Sequence, residues 1–352
     1  MANAAERGII TPETNSFSTP EKILDGKFKG KDILSMEQFS PSSIDKLFKL
    51  TQIMSKIAKD GKPNDALKGK LFTLLFYEPS SRTRGSFDAA IKQLGGQTIV
   101  IENPQQFSSV AKGETFEDSI KTFEAYCDAI VLRHPQAGSS QKAAEVAKFV
   151  PIINAGDGIG EHPTQALLDL YTIWEKKKTL SNLKGLITGD IKNGRTVHSL
   201  LKGLSLYKNS EVYLLSPEEL KLDKSLLEEL RSKGLKITEI TKEEDIPKDC
   251  DFWYWTRVQK ERFQNQEDYE KVKNIFIATP RLLKERGNKN MILLHPLPRV
   301  GEITEDVDRD ERAVYLTNQI RNGMYIRMSI AALALGKERS WQILKEELKF
   351  WK

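Results

Sequence analysis

The sequence predicts an α/β protein of two doubly wound domains, each with a central parallel sheet flanked by helices and with the active site in the interdomain cleft. Three observations lead there. Short, near-continuous apolar runs alternate with amphipathic helical stretches, the alternation occurs in two series, and one long helical pattern at about 163–177 joins them. Strands that are apolar on both faces belong in parallel sheets covered by helices on either side.

The elements follow in order. Residues 1–28 read as a loose tail, and Pro41 opens the first convincing helix, with Ile44, Leu47, Phe48, Met54 and Ile57 on one stripe. Strand-like runs in the first series are KLFTLLFY (70–77), QTIVIE (97–102), DAIVLRH (128–134) and VPIINAG (150–156). Helical patterns between them carry Phe87, Ile91 and Leu94, then Phe116, Ile120 and Phe123, then Ala143 to Phe149. The joining helix carries Leu167, Leu168, Tyr171 and Trp174. The second series reads LKGLITGD (183–190), SEVYLLS (210–216), LKITEI (235–240), DFWYWT (251–256) and MILLHPL (291–297), with closing helices at 325–335 and 340–350. The predicted domains are 29–162, completed by the C-terminal helices of 325–352, and 163–324.

Composition narrows the function. A net charge of +5 arises from 54 basic and 49 acidic residues that are interspersed, without the basic block of a nucleic-acid-binding tail. No apolar run approaches the roughly 18 residues of a membrane helix. Glu6, Glu13, Glu21 and Asp25 argue against a transit peptide. Cys127 and Cys250 form no C-x-x-C, and His134, His162, His198 and His295 lack metal-ligand spacing, so a reducing cytoplasm and no metal or other cofactor are expected.

Ligands of doubly wound sheets bind outside the carboxyl ends of the strands, so the polar residues there are the candidates. After the first strand, Ser80-Ser81-Arg82-Thr83-Arg84 leads into a helix, where backbone N–H groups, hydroxyls and guanidiniums make an anion pocket. Ordinary capping with solvent-facing arginines is the competing explanation. A long polar loop follows the second strand and carries Ser108, Ser109 and Lys112; by itself Lys112 reads as a solvated lysine. Arg133 and His134 end the third strand. The fourth runs into NAGDGIGEHPTQ, with His162 and Gln165 at the start of the long helix. Glu161 stands where the dinucleotide fingerprint needs its last glycine, and no P-loop occurs. In the second series Arg195, then Arg257, Gln259 and Arg262, then HPLPR (295–299) follow strands. Arginines after several strands facing one cleft imply a ligand with more than one anionic group. Without a nucleophile triad or paired carboxylates, the expected chemistry is transfer of an already activated acyl group, with donors polarising a carbonyl and cations holding a phosphate leaving group.

The segments FYEPSSRTRGSF, SSVAKGET, DAIVLRHPQAG, NAGDGIGEHPTQALLDLYTI, TGDIKNGRTVHSL, WTRVQKER and LLHPLPRVGEI, in that order over about residues 30–345, closely resemble the catalytic chains of the aspartate carbamoyltransferases. The S-x-R-T-R loop and HPTQ are shared with the ornithine enzymes; Lys112 in K-G-E-T, R-V-Q-K-E-R and HPLPR favour the aspartate branch.

The resemblance implies transfer of the carbamoyl group of carbamoyl phosphate to L-aspartate, the committed step of pyrimidine synthesis, with the first domain binding carbamoyl phosphate and the second aspartate. Ser80, Ser81, Arg82 and Thr83 would bind the phosphate, and Thr83, Arg133 and His162 the carbamoyl oxygen. Gln165 and the carbonyls of Pro296 and Leu297 would hold the carbamoyl NH2. Arg195, Arg257 and Gln259 would bind the aspartate carboxylates. Ser108 and Lys112 would come from a neighbouring subunit of a homotrimer, with Lys112 serving the aspartate side. Glu78 would pair with Arg195 and Arg262 as the domains close. Some relatives work with a separate zinc-bearing regulatory chain, and no motif here encodes or excludes docking to one. Ser81 replaces a common threonine and keeps the hydroxyl; Gly301 replaces a common aspartate, so a closure contact is absent or rerouted. The sequence leaves open whether His162 donates as imidazole or imidazolium. Two other readings are a transcarbamylase for another amine and a family member serving as a scaffold.

Overall fold

The computed structural model describes residues 21–23, 26–107, 109–338, 340 and 343. Its first sheet contains β1 (Leu71–Phe76), β2 (Gln97–Glu102), β3 (Ala129–His134) and β4 (Ile152–Asp157), all parallel, in the order β2-β1-β3-β4. The second contains β5 (Lys184–Thr188), β6 (Glu211–Leu215), β7 (Lys236–Ile240), β8 (Phe252–Trp255) and β9 (Ile292–Leu294), also parallel, in the order β7-β6-β5-β8-β9. Each order reverses once, between β1 and β3 and between β5 and β8. Those reversals open the crevices in which such sheets bind ligands.

Helices α1 (Pro41–Asp60), α2 (Ser81–Gln93), the single turn α3 (Pro104–Phe107), α4 (Phe116–Glu124) and α5 (Ser139–Val146) serve the first sheet. Local chemistry fixes α1: the Ser40 hydroxyl accepts from the Ser43 N–H, Pro41 sits in the first turn, and Gly61 ends the helix at φ 64°. Helix α6 (Pro163–Lys177) joins the halves. The second half adds α7 (Arg195–Leu204), α8 (Lys224–Ser232), α9 (Gln266–Val272) and α10 (Pro280–Arg286), and α11 (Ile320–Ala334) returns to pack on α1, α2 and α6.

One apolar core runs through both halves. Phe72 and Leu74 of β1, Leu167 and Leu170 of α6, Ile187 of β5, and Ile326 and Ile330 of α11 are all buried in it. Because α6 contributes to this shared core, it sets the position of one sheet relative to the other.

Several boundaries differ from expectation. The predicted helix reaching Phe149 stops at Val146, and Phe149 is 88% exposed; two alanines and a lone valine do not carry the helix further. The last long helix starts at Ile320 rather than 325, after a π-helical turn at Tyr315–Gln319. Packing begins before residue 29, since Ile23 and Phe28 are buried and the Ile23 N–H donates to the Gln38 carbonyl at 2.8 Å. Of the predicted helix at 340–350, only Ser340 and Ile343 are among the described residues.

Candidate active site

Helix α2 begins one residue after the Pro79–Ser80 bend that leaves β1. Ser80 is its N-cap residue, yet the Ser80 side chain makes no capping hydrogen bond. The backbone N–H groups of the first turn therefore keep their donors for a ligand, which favours the anion pocket over ordinary capping. Ser81 and Arg82 are exposed, and Thr83 is buried beneath them. Arg84 turns away and pairs with Glu102 at 2.7 Å, so it belongs to the sheet edge rather than the pocket.

Glu78 lies at the end of β1, beside Arg133 at the end of β3. Its carboxylate pairs with Arg133 at 3.4 Å and, across the cleft, with Arg195 at 3.1 Å. Arg195 also donates to the Gly158 carbonyl at 2.9 Å, and Arg262 donates to the same oxygen at 3.2 Å. The expected closure pair of Glu78 with Arg195 is thus present. Arg262 differs: among the described contacts its partner is the Gly158 carbonyl. Gly156, at φ 116°, explains why this loop is glycine-rich without binding a dinucleotide. A Cβ there would lie 3.1 Å from both the Arg133 and Arg195 guanidiniums.

His162 is the buried N-cap residue of α6, and its backbone N–H donates to Ser199 Oγ at 2.9 Å. Burial, together with Arg133, Arg195 and Arg327, holds its pKa well below the usual histidine value. That direction favours the neutral imidazole. The other histidines have structural partners. His134 packs against Tyr77 and Phe116 and is pushed down to about 4 by burial. His198 contacts the Ile191 carbonyl at 2.9 Å, and His295 contacts Glu302 at 2.6 Å.

Gln165 lies in the first turn of α6, with Nε2 donating to Asp169 Oδ1 at 2.9 Å. Its amide oxygen is consequently the group offered as an acceptor. Pro296 and Leu297 follow β9, in a turn where the Leu297 N–H donates to His295 Nδ1 at 2.7 Å and Leu297 has φ 57°.

The second-domain residues Arg257 and Gln259 already have protein partners. Arg257 forks onto Glu261, with one contact of 3.0 Å and a second between Nη2 and Oε1. Gln259 donates from Nε2 to the Asn193 carbonyl at 3.0 Å, and its backbone N–H donates to Asp190 at 3.2 Å. Asp190 also accepts from the Asn193 N–H at 3.0 Å, so it ties the loop after β5 to the loop after β8. Lys112 ends a 3₁₀ turn at Ser109–Lys112 and is exposed. Ser108 lies outside the described residues. Gly301 adopts φ 116° with open space around it, a conformation that disfavours the aspartate common at this position.

The electrostatics identify the ligand's charge. Burial and Arg195 push Arg133 down to about 9, although Glu78 opposes them. Burial and Arg257 lower Arg82 across the cleft. Guanidiniums lowered by burial and by neighbouring cations suit an anionic ligand. Among the described residues, no group of three or more His, Cys, Asp or Glu is placed to hold a metal ion.

Two buried polar residues were missed in the sequence. Asp169 accepts from Gln165, from Gln319 at 2.7 Å and from Tyr254 at 2.8 Å, and burial raises it to about 7. Arg327, also buried, lies over the Phe87 ring and donates to Ser86 Oγ at 2.9 Å. Each is a charged residue in a largely apolar helical stretch, and that was the available signal.

The comparisons agree with this geometry. The aspartate/ornithine carbamoyltransferase carbamoyl-P binding domain matches residues 31–175, and the Asp/Orn binding domain matches residues 181–334. The aspartate carbamoyltransferase catalytic subunit of Methanopyrus kandleri is 42% identical, covering 88% of this chain and 98% of its own. The multifunctional protein pyr1-3 of Dictyostelium discoideum is 46% identical over 93% of this chain, which spans only 14% of that protein. Among solved structures, Trypanosoma cruzi aspartate transcarbamoylase in complex with carbamoyl phosphate superposes with a TM-score of 0.81 at 39% identity, covering 88% of this chain and 98% of that one. The catalytic subunit of M. jannaschii aspartate transcarbamoylase gives 0.80 at 41% identity, covering 88% and 99%. With both family domains matched in order across the two sheets and the cleft between them, the chain belongs to the aspartate/ornithine carbamoyltransferase family.

Proposed function

We propose that this cleft transfers the carbamoyl group of carbamoyl phosphate to the amine of L-aspartate, giving N-carbamoyl-L-aspartate and phosphate for pyrimidine synthesis. The observation that carries the reading is the open N-terminus of α2 beside Arg82 and Arg133, facing the arginines of the second sheet. The phosphate sits on the first-turn N–H groups of α2, the hydroxyls of Ser80, Ser81 and Thr83, and Arg82. Thr83, Arg133 and neutral His162 donate to the carbamoyl oxygen and stabilise the charge that builds there as the amine attacks. Gln165 Oε1 and the carbonyls of Pro296 and Leu297 accept from the carbamoyl NH2.

Aspartate enters between Arg195 and Arg257, with Gln259 beside them. Arg257 exchanges Glu261 for a substrate carboxylate, a swap between like partners that costs little net charge burial. As the C–N bond forms and the C–O bond breaks, the departing phosphate takes the amine proton, so no separate side-chain base is required. Binding the four or so negative charges of both substrates relieves the repulsion among the arginines, and that relief draws the domains together around Glu78.

The active unit is a homotrimer with shared sites, supplied by Ser108 and Lys112 of a neighbouring copy; the exposure of Lys112 after edge strand β2 supports this. Two free cysteines fit a reducing compartment such as the cytoplasm. The test is product formation with L-aspartate or L-ornithine as acceptor. Carbamoyl aspartate alone supports the reading. Product from ornithine alone, or none from folded protein, contradicts it.

A further inference from the structure

A continuous hydrogen-bonded path joins the two walls assigned to the carbamoyl amide. It starts at Gln165, whose Nε2 donates to Asp169 Oδ1 at 2.9 Å. Gln319 Nε2 donates to the same oxygen at 2.7 Å. Gln319 Oε1 accepts the His295 backbone N–H at 2.9 Å, and His295 Nδ1 accepts the Leu297 N–H at 2.7 Å. The ring's other nitrogen is 2.6 Å from Glu302, so the imidazole is held at both ends.

Each link has an origin in the local structure. Gln165 and Asp169 are four residues apart and share one face of α6. Gln319 closes the π-helical turn Tyr315–Gln319, and such turns re-aim a side chain out of helical register. Asp169, Gln319 and His295 are all buried, so each hydrogen bond is made away from competing water. Asp169 Oδ2 has a separate partner, the Tyr254 hydroxyl of β8 at 2.8 Å, which lies off this path.

We propose that Asp169 is a positioning residue for carbamoyl transfer: it fixes which way round the Gln165 amide faces and, through Gln319 and His295, sets the turn that presents the Pro296 and Leu297 carbonyls. This rests on the assignment of those three residues to the carbamoyl NH2. The physical content is polarity. Asp169 Oδ1 accepts both amide hydrogen bonds, and when burial protonates the acid Oδ2, beside the Tyr254 hydroxyl, can carry the proton; the amide group turned toward Oδ1 is therefore NH2, and the Gln165 oxygen faces the cleft. A reversed amide would set NH2 against the NH2 of the substrate. The same carboxylate oxygen orients Gln319, whose oxygen then faces the His295 N–H. One acidic group thereby aligns acceptors on two segments more than a hundred residues apart in the chain.

The test compares Gln165→Ala, Gln319→Met and Tyr254→Phe in the full chain by steady-state kinetics. Gln165→Ala checks the underlying assignment. If it leaves kcat/KM for carbamoyl phosphate unchanged, that assignment fails and the inference falls with it. Gln319→Met keeps the side-chain length but cuts the path; kcat/KM for carbamoyl phosphate should drop about tenfold or more, while KM for aspartate stays within about threefold. Tyr254→Phe also removes a buried hydrogen bond to Asp169, but off the path, and both constants should stay within about twofold. A structural role alone would lower the melting temperature of both variants without this split. If Gln165→Ala impairs carbamoyl phosphate use and Gln319→Met does not, the inference is overturned while the assignment stands. Equal kinetic losses in Gln319→Met and Tyr254→Phe overturn it as well. Should Gln319→Met not fold, Gln319→Leu takes its place; it removes both amide hydrogen bonds at similar side-chain volume, with the same split expected.

Discussion

Helices on the outside of the molecule begin differently from those that open onto the cleft. Side chains cap the outer ones: Ser40 for α1, Thr115 for α4, Asp223 for α8, Asn265 for α9 and Thr279 for α10. At the cleft, α2, α6 and α7 start at Ser80, His162 and Gly194 without a side-chain capping bond, as does α5 at Gly138 after β3. A cap contributes about 1 kcal/mol. Forgoing it at Ser80 and His162 costs stability of that order, and less at Gly194, since glycine is a tolerated N-cap residue. At α2 the first-turn donors that no side chain caps remain available to the substrates, beside the crowded arginines of the cleft.

Removing the cations should expose the contrast most strongly. Arg82→Ala is expected to lower kcat/KM for carbamoyl phosphate by at least about 10²–10³-fold without lowering the melting temperature, because Arg82 is repelled by Arg257. A variant with unchanged kinetics would remove Arg82 from the phosphate site. His162→Ala should lower kcat about 10²-fold. The pH dependence has a definite sign. The pKa of His162 is depressed by folding, so its contribution to stability is fully present above about pH 6.5, the unfolded value, and is lost as pH falls toward the folded one. The variant should therefore lose less stability than the parent between about pH 6.5 and 5 in chemical denaturation; an identical acid profile would mean that His162 is not buried as a neutral ring.

Subunit mixing tests whether the cleft is complete within one chain. Inactive Lys112→Ala and Arg82→Ala chains should regain partial activity when mixed, since some hybrid sites receive both native residues. No recovery in mixtures that demonstrably exchange subunits would assign Lys112 to its own chain or to no site. The smallest effects come from the caps themselves. Thr279→Ala should cost about 1 kcal/mol of stability and leave KM unchanged. Ser80→Ala should do the reverse, with a change in stability of only a few tenths of a kcal/mol and a raised KM for carbamoyl phosphate. Equal stability losses at the two positions would erase the distinction.

The same contrast explains what the sequence revealed. The proposed phosphate loop, His162 and Gln165 could be singled out because a strand end, a helix start and the intervening residues are contiguous, and sheet topology places such junctions where ligands bind. The nine strands were legible from apolar runs, with most ends one or two residues too generous, the last strand three too long at its end, and β4 one too short at its end. Long-range partners were not legible. The bonds of Asp169 to Gln319 and of Arg327 to Ser86 join residues 150 and 241 positions apart, and neither residue type advertises its partner. The donation of Arg262 to the Gly158 carbonyl, 104 positions away, was likewise not legible.

The central claim is that the cleft pays in stability for an anion it is built to receive, and thermal unfolding against inorganic phosphate tests it most directly. The parent protein should gain stability as phosphate rises, by about 2.7 kcal/mol at a hundred times the dissociation constant, whereas Arg82→Ala should gain little over the same range. An equal rise in both proteins, or none in the parent, would contradict the account.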